Sequence, residues 1–182
     1  SHVLSVYKYF VLLFIRKKMA YSGKYRVKNI EKYSGDHTKV VYRSLWEKYS
    51  FKWCDDNSSI IKWSSEEVVV PYYYDVDKKY HRYFVDLKIK YKNGTTKIIE
   101  IKPHKETRQP EYSGRRTKRY ITESLSYVKN QNKWKAAESY AKDRGWEFEV
   151  WTEQTLETMG IMPKSAKKLK PFPSKRSKTR TR

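Results

Sequence analysis

Cysteine is almost absent from this chain of 182 residues, in which Cys54 stands alone beside only four histidines. A single cysteine can form neither an intramolecular disulfide nor a CxxC zinc motif, and the histidines do not have the HExxH spacing. These absences exclude a disulfide-rich secreted scaffold and a zinc protein of these classes.

Acidic residues are missing from both ends of the chain. Residues 1–18 carry four basic side chains and residues 163–182 carry nine, without one acid in either segment. The residues between them hold 28 basic and 20 acidic side chains, so they keep a net charge of +8 out of +21 for the whole chain. Such a basic excess indicates a polyanionic partner, with nucleic acid first and an anionic membrane surface second.

The sequence also lacks a long apolar run. Residues 3–15 are mostly apolar, but Lys8 interrupts them and they are shorter than the ~20 residues that span a bilayer. Their basic residues follow the run, whereas those of a signal peptide precede it. We therefore expect residues 1–18 to be an extension outside the fold, without stable membrane insertion. A short membrane-associating helix is the alternative.

Proline, serine, lysine and arginine dominate residues 163–182, and this composition predicts a disordered basic tail. The tail is either a non-specific nucleic-acid arm or a solubilising extension.

Residues 19–162 have the composition and patterning of one folded domain. The chain is 38% hydrophobic and 16% aromatic, which is enough apolar mass for a core. The order of elements predicts a single α/β domain with a mixed β-sheet flanked by helices. The predicted helices cover residues 44–53, 117–130, 132–144 and 152–159, and the predicted strands cover residues 60–63, 66–74, 82–91, 95–102 and 146–151. Ser44 is a candidate N-cap of the first helix, and Gly145 is the predicted cap at the end of the helix 132–144.

The strands 82–91 and 95–102 form a predicted hairpin that carries two carboxylates. Alternation along the first strand puts Tyr83, Val85, Leu87 and Ile89 on one face. A two-residue turn would send Asp86 and Glu100 to opposite faces. A three-residue turn with a left-handed glycine instead pairs the aliphatic faces and sets Asp86 opposite Glu100.

Two like charges at about 5 Å repel one another, and a shared proton or a divalent cation relieves this repulsion. Lys102 lies on the same face as Glu100, so the hairpin predicts an acidic metal site with a cationic neighbour. A solvated strand face with cross-strand ion pairs is the structural alternative.

Asp86 followed by Glu100-Ile101-Lys102 resembles the PD-(D/E)XK motif of restriction-endonuclease-like nucleases. Wider segments resemble the head completion nucleases of T4-like bacteriophages. In chain order they are MAYSGKY, YRSLWEKYSFKW, WSSEEVVVPYY, RYFVDL, IEIKPHKET and NKWKAAESYAKDRG, and they span about Met19 to Gly160.

This resemblance implies a restriction-endonuclease-like core and a metal-dependent deoxyribonuclease, acting as an endonuclease, an exonuclease or both. It also implies a role in head completion and head–tail joining during virion assembly. The expected partners are DNA and phage head or neck proteins, and the expected place is the host cytoplasm during assembly or the virion itself.

The resemblance further implies which residues carry the chemistry. Asp86, Glu100 and the backbone carbonyl of Ile101 would bind Mg²⁺, which Mn²⁺ could replace, and Lys102 would orient the attacking water or a phosphate oxygen. Glu47, on the first helix, matches an acidic residue that such nucleases add to the metal shell. A solvated helical glutamate is the alternative for Glu47.

Basic residues cluster after the second hairpin strand and at the start of the next helix. Positive charge is unfavourable at a helix N-terminus, so the cluster favours contact with DNA phosphates over a merely solvated helix start. The predicted DNA-binding residues are Lys105, Arg108, Arg115, Arg116, Lys118 and Arg119. Besides the nuclease, two other functions remain open: a non-catalytic DNA-binding structural protein of the phage head, and a basic peripheral membrane protein anchored by residues 3–15.

Overall fold

The computed structural model of the protein describes residues 22–162. The predicted N-terminal extension and the predicted basic tail lie outside this range. Residues 19–21, the first of the predicted domain, lie outside it as well. The helices are α1 (Leu45–Asp56), α2 (Lys118–Asp143) and α3 (Glu153–Thr158). The strands are β1 (Gly23–Lys24), β2 (Val41–Tyr42), β3 (Ile60–Ser64), β4 (Val69–Tyr74), β5 (Lys79–Phe84), β6 (Leu87–Tyr91), β7 (Thr96–Ile101) and β8 (Glu147–Trp151).

The central sheet has four strands in the order β3-β6-β7-β8. Strand β6 runs antiparallel to both of its neighbours, β3 and β7, whereas β8 runs parallel to β7. A parallel connection needs a crossover, and the long helix α2 provides it between β7 and β8. The predicted α/β domain with a mixed sheet is thereby confirmed.

Alternation along β7 sends its side chains into two separate hydrophobic clusters. Ile99 and Ile101 pack with Phe51 of α1, while Ile98 packs with Ala137 of α2. The sheet is therefore covered by α1 on one face and by α2 on the other. Each cluster excludes water from one side of β7, the strand that also carries Glu100.

Strands β4 and β5 form a separate two-stranded ribbon rather than part of the central sheet. The prediction of one strand over residues 82–91 is wrong, because β5 ends at Phe84 and β6 begins at Leu87. The chain bends at Val85 and Asp86, where it leaves the ribbon and joins the central sheet.

This bend also corrects the predicted faces of the strand. Tyr83 and Val85 pack in the cluster beside α2, whereas Leu87 and Ile89 pack in the cluster beside α1. The predicted strand 66–74 likewise begins only at Val69, because Glu66 has a φ of 57° and cannot continue an extended strand.

The ends of the helices follow local hydrogen bonding. As predicted, Ser44 caps α1, and its side chain accepts a hydrogen bond from the backbone N–H of Glu47. The predicted helices 117–130 and 132–144 are one continuous helix of 26 residues, α2, which follows the N-cap Thr117. Gly145 adopts a φ of 68° just after it, a conformation that glycine reaches without steric cost.

Within residues 22–162, no helix combines the length and the apolar character that crossing a bilayer requires.

Candidate active site

The turn between β6 and β7 sets the position of the two hairpin carboxylates. Leu87 pairs with Ile99, and Gly94 has a φ of 89° in a three-residue turn closed by the hydrogen bond from Tyr91 N–H to the Thr95 carbonyl. This is the predicted register. Asp86 directly precedes Leu87 and Glu100 directly follows Ile99, so the two carboxylates come to the same end of the hairpin.

Glu100 is a buried carboxylate near the end of the central strand β7, with only 3% of its surface exposed. The hydroxyl of Tyr83 donates a hydrogen bond of 2.5 Å to its Oε2. The Nζ of Lys102 lies 3.3 Å from its Oε1. Each oxygen of Glu100 thus has one donor, and these two contacts fix the orientation of the carboxylate.

Asp86 lies at the bend between the ribbon and the sheet. Its Oδ2 accepts a hydrogen bond of 2.8 Å from the backbone N–H of Ile101. Burial raises the pKa of Asp86 well above its usual value, and the negative charge of Glu100 raises it further. The pair therefore favours a proton or a cation between its members.

The side chain of Lys102 lies beside the two carboxylates. The backbone N–H of Lys102 donates a hydrogen bond of 2.9 Å to the backbone carbonyl of Trp151 on β8. Burial on its own would lower the pKa of Lys102, but the charges of Glu100 and Asp86 outweigh it and raise the pKa above its ordinary value. The side chain is accordingly a firmly charged ammonium at the edge of the site.

Lys133 approaches the same carboxylates from α2, and the sequence analysis missed it. Its Nζ lies 5.1 Å from the ring centre of Tyr83, the residue that hydrogen-bonds Glu100. Burial lowers the pKa of Lys133, while the charges of Glu100 and Asp86 act in the opposite direction. A sequence signal existed, because Lys133 precedes the buried Ala137 by one helical turn.

Glu47 is placed differently from the other predicted ligands. Its Oε2 accepts the backbone N–H of Arg43 at 2.8 Å, and its Oε1 lies 3.2 Å from the Ser44 hydroxyl. Burial raises the pKa of Glu47. Its charge also contributes to the raised pKa of Asp86, so it lies near the site while its carboxylate stabilises the start of α1.

Arg43 and Glu66 form an ion pair close to Glu47. Arg43 Nε lies 2.9 Å from Glu66 Oε1, and this pairing raises the pKa of Arg43, with smaller contributions from the charges of Glu47 and Asp86. Among residues 22–162, the structure brings together no group of three or more His, Cys, Asp or Glu side chains that could hold a metal ion. The acidic side chains that come together at the end of the hairpin are therefore the pair Asp86 and Glu100.

This pair suits one type of metal ion better than others. Mg²⁺ keeps several of its waters and is commonly held by one or two carboxylates together with phosphate oxygens of the substrate. Two carboxylates and the Ile101 backbone carbonyl are hard oxygen donors of this kind. Zinc, by contrast, favours a closed set of cysteine and histidine ligands.

The six predicted DNA-binding residues are all exposed. Lys105, Arg108 and Arg119 line one cavity of about 320 Å³ between the segment after β7 and helix α2. Arg119 also pairs with Glu123 at 2.9 Å. Arg116 lines a different cavity of about 640 Å³. The other two predicted residues, Arg115 and Lys118, flank the start of α2.

A family model described as TnsA-like endonuclease N terminal matches residues 57–153, more than half of the chain. The chain belongs to this endonuclease family. The matched part of the TnsA-like domain contains Asp86, Glu100, Lys102 and Lys133, while Glu47 precedes it. The predicted restriction-endonuclease-like fold is thereby confirmed.

The chain is also similar to the head completion nuclease of Enterobacteria phage T4, with 46% identity over 147 residues. The alignment covers 79% of this chain and 98% of the phage T4 protein. This similarity confirms the predicted kinship with the head completion nucleases. No solved structure shows significant similarity to the chain.

Proposed function

We propose that this protein is a metal-dependent deoxyribonuclease that acts in phage head completion and head–tail joining. The observation that carries the proposal is the convergence of Asp86, Glu100 and Lys102 at the end of β7, inside a TnsA-like endonuclease domain. The name of the phage T4 relative supports the role in head completion.

Asp86, Glu100 and the Ile101 carbonyl are the groups that would hold Mg²⁺ or Mn²⁺. Bound there, the ion would neutralise negative charge on a phosphodiester and lower the pKa of the attacking water molecule, so that it loses its proton more readily. The Tyr83 hydroxyl and Lys102 hold Glu100 in place, and the Ile101 N–H holds Asp86. Glu47 belongs to the outer part of this acidic site.

Two lysines supply positive charge around the carboxylate pair. Lys102 directly follows β7 and lies 3.3 Å from Glu100, while Lys133 belongs to α2 and lies 5.1 Å from the ring centre of Tyr83. Cations fixed in a partly buried site stabilise the extra negative charge of a phosphoryl transition state. We propose that both ammonium groups contact oxygens of the phosphate that is cleaved.

The same proposal names the partners and the place of action. DNA would be gripped through the exposed basic residues after β7 and at the start of α2, because phosphate contacts do not require a particular base sequence. Phage head or neck proteins are the expected protein partners. The protein would act in the host cytoplasm during virion assembly.

A cleavage assay with the purified protein tests the nuclease proposal against the non-catalytic DNA-binding alternative. We expect cleavage of plasmid or linear DNA in Mg²⁺ or Mn²⁺ and no cleavage in EDTA. Glu100→Gln should remove this activity, whereas the control Glu138→Gln, an exposed carboxylate on α2, should keep it. Binding of DNA without any metal-dependent cleavage would support the structural protein and contradict the nuclease.

A further inference from the structure

The ribbon formed by β4 and β5 has two faces of different character. Its inner face carries buried side chains, including Tyr72, Tyr74 and Tyr83, which pack in the cluster beside α2. The side chains of its outer face are exposed, and they are Pro71, Tyr73, Tyr80, Arg82 and Phe84.

Aromatic rings dominate the outer face. Tyr80 is 76% exposed, Phe84 is 43% exposed and Tyr73 is 40% exposed. Tyr73 and Tyr80 are cross-strand partners with ring centres 5.3 Å apart. Exposed aromatics that cluster in this way are uncommon on a protein surface without a binding partner.

The outer face also carries positive charge. The guanidinium of Arg82 lies 5.2 Å from the ring centre of Phe84. The exposed Lys78 lies in the turn of the ribbon, and the exposed Lys79 begins β5 opposite Tyr74 of the inner face. No ion pair found within residues 22–162 involves these three basic side chains. The same turn carries the acids Asp75 and Asp77, which offset the charges of Lys78 and Lys79, so Arg82 provides the unbalanced positive charge of the outer face.

The exposed rings and the positive charge together indicate which kind of partner could bind the outer face. A second copy of the chain would carry a net charge of +21 toward the same surface and would be repelled, and the basic tail 163–182 would be repelled as well. An anionic partner with flat apolar groups fits both the charge and the rings. Unpaired nucleotides have this chemistry, because their bases stack on aromatic side chains and their phosphates pair with arginine and lysine.

The ribbon is also continuous with the candidate active site. Phe84 ends β5, and Asp86 follows it by two residues. DNA bound at the Phe84 end of the outer face would therefore lie near the carboxylate pair, which contacts the inner face of the ribbon through Tyr83. Duplex DNA would gain little from the rings, because its bases are already stacked on one another.

We propose that the outer face of the ribbon, with Tyr73, Tyr80 and Phe84, binds single-stranded DNA by stacking on its bases. This inference rests on the proposed function, since it names the form of the DNA that the nuclease engages. The preferred substrate would then have a single-stranded stretch next to the cleaved bond, as at a frayed end, a flap or a gap.

Fluorescence anisotropy in EDTA tests this proposal without any cleavage, using the full-length protein. The probes are a labelled oligo(dT), an oligomer of abasic sites of equal length and a blunt duplex. Tyr80→Leu and Tyr73→Leu should each weaken oligo(dT) binding by about 5- to 100-fold. They should leave binding to the duplex and to the abasic oligomer nearly unchanged, because those probes offer charge without free bases.

Two further variants separate stacking from other effects. Tyr80→Phe keeps the ring and should bind oligo(dT) like the wild type. The control Tyr49→Leu removes an exposed tyrosine of α1, away from the ribbon, and should also leave binding unchanged. Far-ultraviolet circular dichroism would verify that each variant is folded.

Wild-type affinity for oligo(dT) in both Tyr73→Leu and Tyr80→Leu would overturn the inference, and the ribbon would then be a protein-binding surface. Equal weakening on all three probes would overturn it too, because it would show that the rings do not contact bases. Tyrosine-dependent binding of oligo(dT) by a protein that cleaves nothing in Mg²⁺ would uphold this inference while contradicting the proposed nuclease.

Discussion

At the residue scale, the site is defined by how its charges are balanced. Glu100 is held by the hydroxyl of Tyr83 on β5, and Asp86 is held by the backbone N–H of Ile101 on β7. Lys102, which follows β7, and Lys133, which lies on α2, offset the negative charge of Asp86 and Glu100. A divalent cation and a phosphate bound together, as proposed, would preserve this balance because their charges are opposite.

Lys102→Ala should lower turnover by about 100-fold while changing DNA affinity little. The reason is that one lysine among 41 basic residues adds little to binding, whereas its ammonium lies 3.3 Å from Glu100. Single-turnover cleavage and anisotropy binding would measure the two effects separately. Lys135→Ala, which removes an exposed lysine of α2, is the control. Turnover equal to that of the wild type would refute a catalytic role for Lys102.

Lys133→Gln should also lower the rate of cleavage at saturating DNA, by about 10- to 100-fold. Its ammonium lies beside the tyrosine that orients Glu100, so it is placed to act on the phosphate rather than on distant DNA. Lys133→Arg should recover part of the rate, and Lys135→Gln should keep all of it. If Lys133→Gln changed only the affinity for DNA, the lysine would belong to the general DNA-binding surface.

At the element scale, local signals predicted much of the fold. The turn with Gly94 and the aliphatic pattern of β6 and β7 were enough to predict the register that brings Asp86 to Glu100. Ser44 and Gly145 likewise marked ends of helices correctly. These features depend on backbone geometry within a few residues, and the local amino-acid sequence is enough to predict such geometry.

Other features depend on contacts that the sequence does not state. The alternation of apolar residues continues without a break from Tyr83 to Ile89, although the chain changes from the ribbon to the central sheet between them. Only the packing of two clusters on opposite faces of the sheet requires the bend at Asp86. The position of Lys133 depends in the same way on how α2 packs against the ribbon and the sheet.

The N-terminus of α1 couples the stability of the helix to the placement of Glu47. Ser44→Ala should lower the free energy of unfolding by about 1 kcal/mol, because the hydroxyl accepts the N–H of Glu47. Urea denaturation would measure the change. Ser126→Ala removes an exposed hydroxyl inside α2, where alanine is the better helix former, and should not destabilise the protein. An unchanged stability for Ser44→Ala would show that the cap contributes nothing.

At the scale of the whole molecule, charge is distributed unevenly along the chain. The segment 163–182 lies outside the described residues and carries nine basic residues without an acid. The carboxylates of the candidate site all lie within residues 22–162. Binding of DNA and its chemistry can therefore be separated by truncation.

Deleting residues 163–182 should weaken DNA binding equally across sequences and flatten its dependence on salt. Each lost phosphate contact should reduce the slope of the log–log salt plot by about 0.9, because fewer counterions are released. Binding isotherms at several salt concentrations would measure the slope. Single-turnover cleavage at saturating DNA should not change. An unchanged slope would assign the tail to a protein partner or to solubility.

The most direct test of the account is binding of Mn²⁺, followed by electron paramagnetic resonance of the free ion. The wild-type protein and the control Glu138→Gln should bind the ion with equal affinity. Asp86→Asn and Glu100→Gln should each weaken binding by 10-fold or more, an estimate from the loss of one of only two charged ligands. Wild-type affinity in both of these folded variants would contradict the central claim that this carboxylate pair holds the metal.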